Sequence, residues 1–288
     1  MRAPQGEEER MSQAGQRLRQ MLQGADMVVA PFVFDAFQAK IAQAAGFEAV
    51  YMTGFGTAAA RGFPDVGLLT MAEMVENVRY IANAVAIPVI CDADTGYGNP
   101  VNVYRTVREY EAAGAAALHM EDQVWPKRCG FLAGKQVIPL AEMVPKVRAA
   151  CDARKDIVII ARTDALAVTG WEDVKNRAYA YREAGADLIF VDGIRTLEDM
   201  KRYVQELSGL PLLYNGQLLS VPDTAKMGFK LMINSATLTV FYLRMRDAMR
   251  ELKHTGAITH STEPGAFGEL TTLLGVPEAL ELGKKYSG

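Results

Sequence analysis

The sequence predicts an α/β chain closed into a TIM-type (β/α)8 barrel. Three observations predict it. Apolar runs of strand length alternate with helix-like segments eight times in 288 residues, the cadence of a closed barrel. Four runs follow a helix-ending glycine: Ala45-Gly46-Phe47, Ala113-Gly114-Ala115, Ala184-Gly185-Ala186 and Met227-Gly228-Phe229. Charged residues gather where successive strands finish, which in a barrel is the catalytic face. An open doubly wound sheet shares the alternation and is the structural rival.

In chain order, the charged segment 1–23 comes first. Its Arg17-Leu18-Arg19-Gln20-Met21-Leu22 portion reads as a helix covering the barrel. Strands are expected near 27–33, 47–53, 88–94, 115–121, 157–163, 187–192, 211–215 and 229–234. Those lacking the glycine cadence are introduced by Ile87-Pro88-Val89, Asp156-Ile157-Val158 and Leu210-Pro211-Leu212. Continuous apolar runs of this kind suit strands buried on both faces. Helices are expected over 71–85, 101–113, 141–154 and 171–184. From about 240 the chain reads as helices without a ninth barrel unit, so 1–288 is one barrel domain with a helical C-terminal extension. Phe241, Leu243, Met245, Met249 and Leu252 of that extension either dock on a neighbouring subunit or pack on their own chain.

Composition narrows the function. Half the chain is hydrophobic, enough for a full single core, and no polar linker divides it. A net charge of −3 gives no electrostatic case for nucleic acid or an anionic membrane. Three cysteines with no paired spacing fit a reducing compartment. Residues 1–23 lack an apolar signal core, and no run of membrane-spanning length occurs, so a cytoplasmic protein is expected.

The chemistry is read at the strand ends. After the apolar run Ile87-Pro88-Val89-Ile90-Cys91 comes Asp92-Ala93-Asp94-Thr95 and the turn Gly96-Tyr97-Gly98-Asn99-Pro100. Carboxylates two apart on a strand point to one side, and neither the interior nor the helix layer tolerates them unpartnered. A hard divalent cation satisfies both, with Mg²⁺ first by its preference for oxygen. The plainer alternative is a helix cap plus an ion pair. Further clusters follow at His119-Met120-Glu121-Asp122-Gln123, at Arg162-Thr163-Asp164 and at Asp192. Cys91 and Cys151 read as core thiols. Cys129 differs, lying in the long polar connection 122–137 between Lys127-Arg128 and Gly130. The two cations would favour its thiolate, and a glycine-bearing loop could carry it over the mouth as a lid. An incidental exposed thiol is the alternative.

Asp92-Ala93-Asp94-Thr95-Gly96-Tyr97-Gly98, His119-Met120-Glu121-Asp122-Gln123, Pro126-Lys127-Arg128-Cys129-Gly130 and Ala161-Arg162-Thr163-Asp164 resemble the isocitrate lyase/phosphoenolpyruvate mutase superfamily. Tyr51-Met52-Thr53-Gly54 and Pro64-Asp65-Val66-Gly67-Leu68-Leu69-Thr70 resemble its earlier motifs. The likeness runs in order from about Ala30 to Asn215. The Lys-Arg-Cys-Gly loop is similar to the lyase branch, which includes the 2-methylisocitrate, 2,3-dimethylmalate and petal-death-type lyases. The resemblance implies carbon–carbon cleavage of a 2-hydroxy di- or tricarboxylate through an enolate-like species. It implies Mg²⁺, with Mn²⁺ as the alternative ion, on Asp92, Asp94 and Glu121, partly through water. It assigns substrate contacts to Tyr51, Thr53, Gly54 and Arg162, gating to Asp65, and the general acid/base to Cys129. Gly130, Asp192 and Asn215 complete the expected substrate pocket, and a homotetramer with exchanged C-terminal helices is implied.

Three departures from the family pattern bear on the substrate. The lyase loop usually continues Cys-Gly-His, whereas here Phe131 follows; strand six ends in Asp192 where lyases tend to carry Glu; and Asn215-Gly216-Gln217 lacks the acidic residue often found after that Asn. A substrate with a bulkier or less charged far end is expected, and methylisocitrate or isocitrate cleavage is disfavoured. An oxaloacetate decarboxylase or a phosphonate mutase or hydrolase would keep the acidic site without needing Cys129. A non-catalytic keto-acid-binding barrel is the non-enzyme alternative.

Overall fold

The structure, a computed structural model, describes residues 13–130, 132–259 and 263–287; Phe131 lies outside them. Eight parallel strands close into a barrel: β1 (Val28–Val33), β2 (Val50–Met52), β3 (Val89–Asp92), β4 (Ala117–Glu121), β5 (Val158–Thr163), β6 (Leu188–Val191), β7 (Leu212–Asn215) and β8 (Leu231–Asn234), with β8 pairing back onto β1. Each strand falls inside its expected window, and the open-sheet rival is excluded by the β1–β8 ladder. β3 stops at Asp92 instead of 94 because Asp94 is left-handed, φ 46°, and no longer extended.

The helices follow in order. α1 (Ala14–Gln23) precedes β1; α2 (Ala36–Ala44), α3 (Gly54–Ala60), α4 (Met71–Ala84), α5 (Pro100–Ala112) and α6 (Leu140–Ala153) fall between the strands. α7 (Trp171–Glu183), α8 (Leu197–Glu206) and α9 (Val221–Lys226) complete the ring, and α10 (Ala236–Thr255), α11 (Ala266–Leu273) and α12 (Val276–Tyr286) form the extension. Local chemistry sets their starts. Thr70 and Glu73 make a reciprocal cap at α4, and Asn99 with Asn102 does so at α5, where Pro100 suits the first turn.

Strand alternation divides the core in two. Val158 and Ile160 point inward with Ile90, Ala117, Phe190, Leu213 and Ile233, filling the barrel, whereas Cys91, Leu118, Ile159 and Ile189 point outward under the helices. α1 covers the N-terminal end, as its sequence suggested. Leu18 is fully buried in the inner cluster, and Arg19 donates to Asp187 and to the carbonyls of Asp156 and Ile157. Gly15 is packed so closely that an added Cβ would sit 2.2 Å from the Asp156 oxygen. The three helices of the extension contain no buried residue.

Candidate active site at the barrel mouth

The mouth is built by strand parity. Two steps beyond an inward-facing residue lies another, so Ile90 leads to Asp92, Ala117 to His119 and Glu121, Ile160 to Arg162, Phe190 to Asp192 and Leu213 to Asn215. Cross-strand register sets neighbours side by side: Asp92 opposite His119, and Glu121 opposite Arg162. The sequence therefore places one ring of polar groups at the catalytic end of an otherwise apolar barrel.

On the β3 side, Asp92 accepts from the Asp94 amide at 3.0 Å and from the Gly54 amide at 3.1 Å. A Cβ on residue 54 would lie 2.5 Å from the Asp92 carboxylate, so glycine is what lets α3 start against it. Thr53 spends its hydroxyl as the α3 cap, accepting from Gly56. Asp94 is buried, with Oδ1 2.9 Å from the Lys127 ammonium but in hydrogen-bond geometry with no described residue. Burial pushes its carboxyl up to about 6; Lys127 opposes the rise and Asp92 adds to it. Tyr51 stacks on His119 and its hydroxyl lies 2.6 Å from Nε2. Burial lowers His119 to about 4, so the ring is neutral at neutral pH, and burial also suppresses ionisation of Tyr51.

Opposite, Arg162 is gripped by Asp164 through two hydrogen bonds of 2.9 and 3.0 Å, with Glu121 at 3.1 Å and Asp192 at 3.6 Å. Lys135 bridges Asp164 and Asp192 at 2.7 and 2.8 Å. Against the cost of burial, Arg162 and Lys135 hold Asp164 at about 2. Burial pushes Glu121 the other way, well above the usual carboxylate range, with Arg162 opposing. Asn215 Oδ1 is buried and has no donor among the described residues.

The connection between β4 and α6 is folded down over this ring. Its stem is a short antiparallel bridge, Gln123 to Val137, with Val124 donating to Gln136 and Ile138 to Asp122. The Gln123 side chain clasps Arg128 by both backbone groups at 2.9 Å and donates to Glu121 at 2.8 Å. Lys127 bonds Asp65 and approaches Asp94, and the Cys129 amide donates to the Asp65 carbonyl at 3.1 Å. A Cβ on Gly130 would lie 2.5 Å from the Asp192 carboxylate. Cys129 is 7 % exposed, which removes the incidental-surface-thiol alternative. The two flanking cations are directed elsewhere than the sequence suggested: Lys127 to the acids and Arg128 to the Ala133 carbonyl. Cys91 is fully buried, and burial raises its thiol well above the usual value; Cys151 is raised to about 11 by burial, against Arg154.

One expectation changes in form. Asp92, Asp94 and Glu121 lie in the same mouth, but no group of three or more His, Cys, Asp or Glu among the described residues is arranged as a metal-binding set. The reason is local: Glu121 is engaged by Arg162 and Gln123, and Asp92 by two backbone amides. The residues still fit a divalent cation. Asp65, Asp92, Asp94, Glu121, Asp164 and Asp192 face only Lys127, Lys135 and Arg162. That leaves more buried carboxylates than cations, with Lys127 the ion-pair partner of Asp94 among the described residues. Mg²⁺ characteristically keeps several waters and takes only one or two carboxylates. Sequence reading missed Gln123, Lys135 and the His119–Tyr51 pair. Their partners lie far along the chain, and only the position of His119, two before Glu121, carried a signal.

The profile of the phosphoenolpyruvate phosphomutase family matches residues 18–253. The chain belongs to the phosphoenolpyruvate mutase/isocitrate lyase superfamily. It is 41% identical over 281 residues to the 2,3-dimethylmalate lyase of Eubacterium barkeri, spanning 94% of this chain and 97% of that one. Among solved structures it resembles oxaloacetate acetylhydrolase in complex with 3,3-difluorooxalacetate, with a TM-score of 0.90, 36% identity and coverage of 96% and 98%. It also resembles phosphonopyruvate hydrolase in complex with oxalate and Mg²⁺, with a TM-score of 0.86, 31% identity and coverage of 96% and 99%. Lyases of the superfamily are among the relatives it matches over nearly full length, and the chain is an enzyme of the carbon–carbon lyase type. No helix among the described residues is long and apolar enough to cross a membrane.

Proposed function

We propose that the enzyme is a Mg²⁺-dependent lyase, with Mn²⁺ as the alternative ion, acting on a malate-type 2-hydroxy dicarboxylate substituted at C2 or C3. The products are a 2-keto acid and a second carboxylic acid. The observation that carries the reading is a buried ring of uncompensated carboxylates beside Arg162, closed over by a loop whose cysteine is itself buried there. When bound, the cation would stabilise the negative charge that develops at the cleaved bond. Cleavage passes the C2 hydroxyl proton to a carboxylate of the ring, breaks the C2–C3 bond to leave a carbonyl at C2, and puts the electron pair on C3 beside a carboxylate. Cys129, brought in with the Asp65-anchored loop, delivers a proton to that carbon. Arg162 is held rigid by Asp164 and Glu121 and orients a substrate carboxylate. Tyr51 acts as a neutral hydrogen-bond donor, since burial suppresses its ionisation, and Gly54 with Thr53 sets the backbone at the substrate's edge. Asp192, Asn215 and Gly130 shape the far end of the pocket.

A second reading, hydrolytic cleavage of oxaloacetate, is favoured by the likeness to oxaloacetate acetylhydrolase. One experiment separates them: a Mg²⁺-supplemented screen of malates substituted at C2 and C3, together with oxaloacetate, following pyruvate, glyoxylate and oxalate formation. Keto-acid release from a substituted malate supports the lyase. Oxalate from oxaloacetate alone, with no malate cleaved, transfers the assignment to the hydrolase. Decarboxylation undisturbed in Cys129→Ser would indicate a chemistry that dispenses with the loop thiol.

A further inference from the structure

A second cavity, of about 890 Å³, lies outside the mouth. It is enclosed by the segment 67–71, the turn 95–100, the loop stem and α6. Leu69, Met71, Tyr97, Trp125 and Ile138 give it apolar walls. One cation reaches it from the barrel-facing side of α6: Lys146, 6 % exposed. The other two lysines buried in this half of the barrel each hold two carboxylates. Lys146 makes no hydrogen bond or ion pair with any described residue, and Asp122, Glu142 and Glu121 act on it only at longer range. Its stem is packed among the helix and barrel residues while its ammonium opens into the cavity, so a charge with no protein partner faces the enclosed space.

We propose that this cavity is a binding site for a small monocarboxylate with an apolar, aromatic or branched body. Its carboxylate sits on Lys146, and its body lies against Tyr97 and Trp125. A second carboxylate on the ligand is disfavoured, because Glu142 stands at the exposed rim and Asp122 and Glu121 lie behind the lysine. That preference separates the site from the mouth, which is built for polyacids. The site is coupled to the loop by contact. A Cβ on Gly67, in the segment carrying Asp65, would lie 3.1 Å from the Trp125 ring and 3.3 Å from Pro126. Occupancy therefore bears on the two segments that meet above Asp94, and favours the closed loop.

The chain has two tryptophans, of which Trp125 lines the cavity and Trp171 stacks under Arg202. Full-length enzyme titrated with phenylacetate should give a saturable change in tryptophan fluorescence, absent in Trp125→Phe although calorimetry still detects binding. Lys146→Met should keep the unliganded activity and bind at least about tenfold more weakly. Lys146→Arg should retain binding. Oxalate with Mg²⁺ should not displace the probe. No binding to the wild type up to about 10 mM, equal binding to Lys146→Met, or displacement by oxalate would each overturn the proposal. None of the binding readouts depends on which substrate the mouth cleaves.

Discussion

In Asp94 a left-handed backbone, a buried carboxylate and a lysine 2.9 Å away meet at one position. Such a residue persists only where its surroundings hold it, and here the Asp92 carboxylate grips its amide. Asn tolerates the same backbone region, so Asp94→Asn removes charge with little strain. It should abolish Mg²⁺-dependent turnover while circular dichroism and melting stay near wild type; full activity in this variant or in excess chelator would reject the metal site. Cys129→Ser should lower turnover by at least about 10²-fold, the scale of a general acid, with KM little changed. Cys91→Ser and Cys151→Ser, which alter thiols packed away from the ring, should not. Three variants behaving alike would remove Cys129 from the chemistry.

At the scale of elements, two connections show how side chains do the work of secondary structure. The loop above the mouth owes its shape to the Gln123 carboxamide, which satisfies both backbone groups of Arg128 and tethers Glu121. Gln123→Leu should speed amide hydrogen exchange and proteolysis over residues 127–135 and reduce turnover; unchanged protection there would show that the lysine bridges suffice. At the opposite end, Glu111 of α5 accepts from the amides of Lys155, Asp156 and Ile157, which lead into β5. Glu111→Ala leaves those donors without their acceptor and should cost about 1–3 kcal/mol in denaturant melts. Because that face is the stabilising end of a barrel, KM and turnover below the melting transition should hold.

For the whole molecule, the C-terminal extension sets the question. α10 presents Val240, Phe241, Tyr242, Met245, Met249 and Leu252 to solvent, and Phe267, Leu280, Leu282 and Tyr286 continue the exposed apolar surface along α11 and α12. Contiguous apolar patches of that extent mark interaction surfaces. Phe34, at the end of β1, already stacks edge-on against Phe241, and α11 touches α2, so the extension is anchored to its own barrel while its exposed apolar side chains are left to meet another copy. We propose a homotetramer with these helices docked on neighbours. Light scattering at micromolar concentration should give about four times the 31.5 kDa chain mass, and a monomer alone would refute it.

By itself the sequence determined the barrel and the identity of its polar ring. The two-residue period settles which side chains share a side, carrying Ile90 to Asp92 and Ile160 to Arg162 without knowledge of any contact, while the closed barrel decided that this side is the inner one. Such a period is a local property, written within a few residues. Tertiary structure alone decided the partners. Lys127 reads from its neighbours as an activator of Cys129, yet its charge lies on Asp65, 62 residues away. Lys135 carried no signal in the sequence, yet it joins Asp164 and Asp192, 29 and 57 residues on. Ion pairing is long-range in sequence and short-range in space, so only chain closure determines which buried charges meet. The same closure left Lys146 facing a cavity without an ion pair to any described residue.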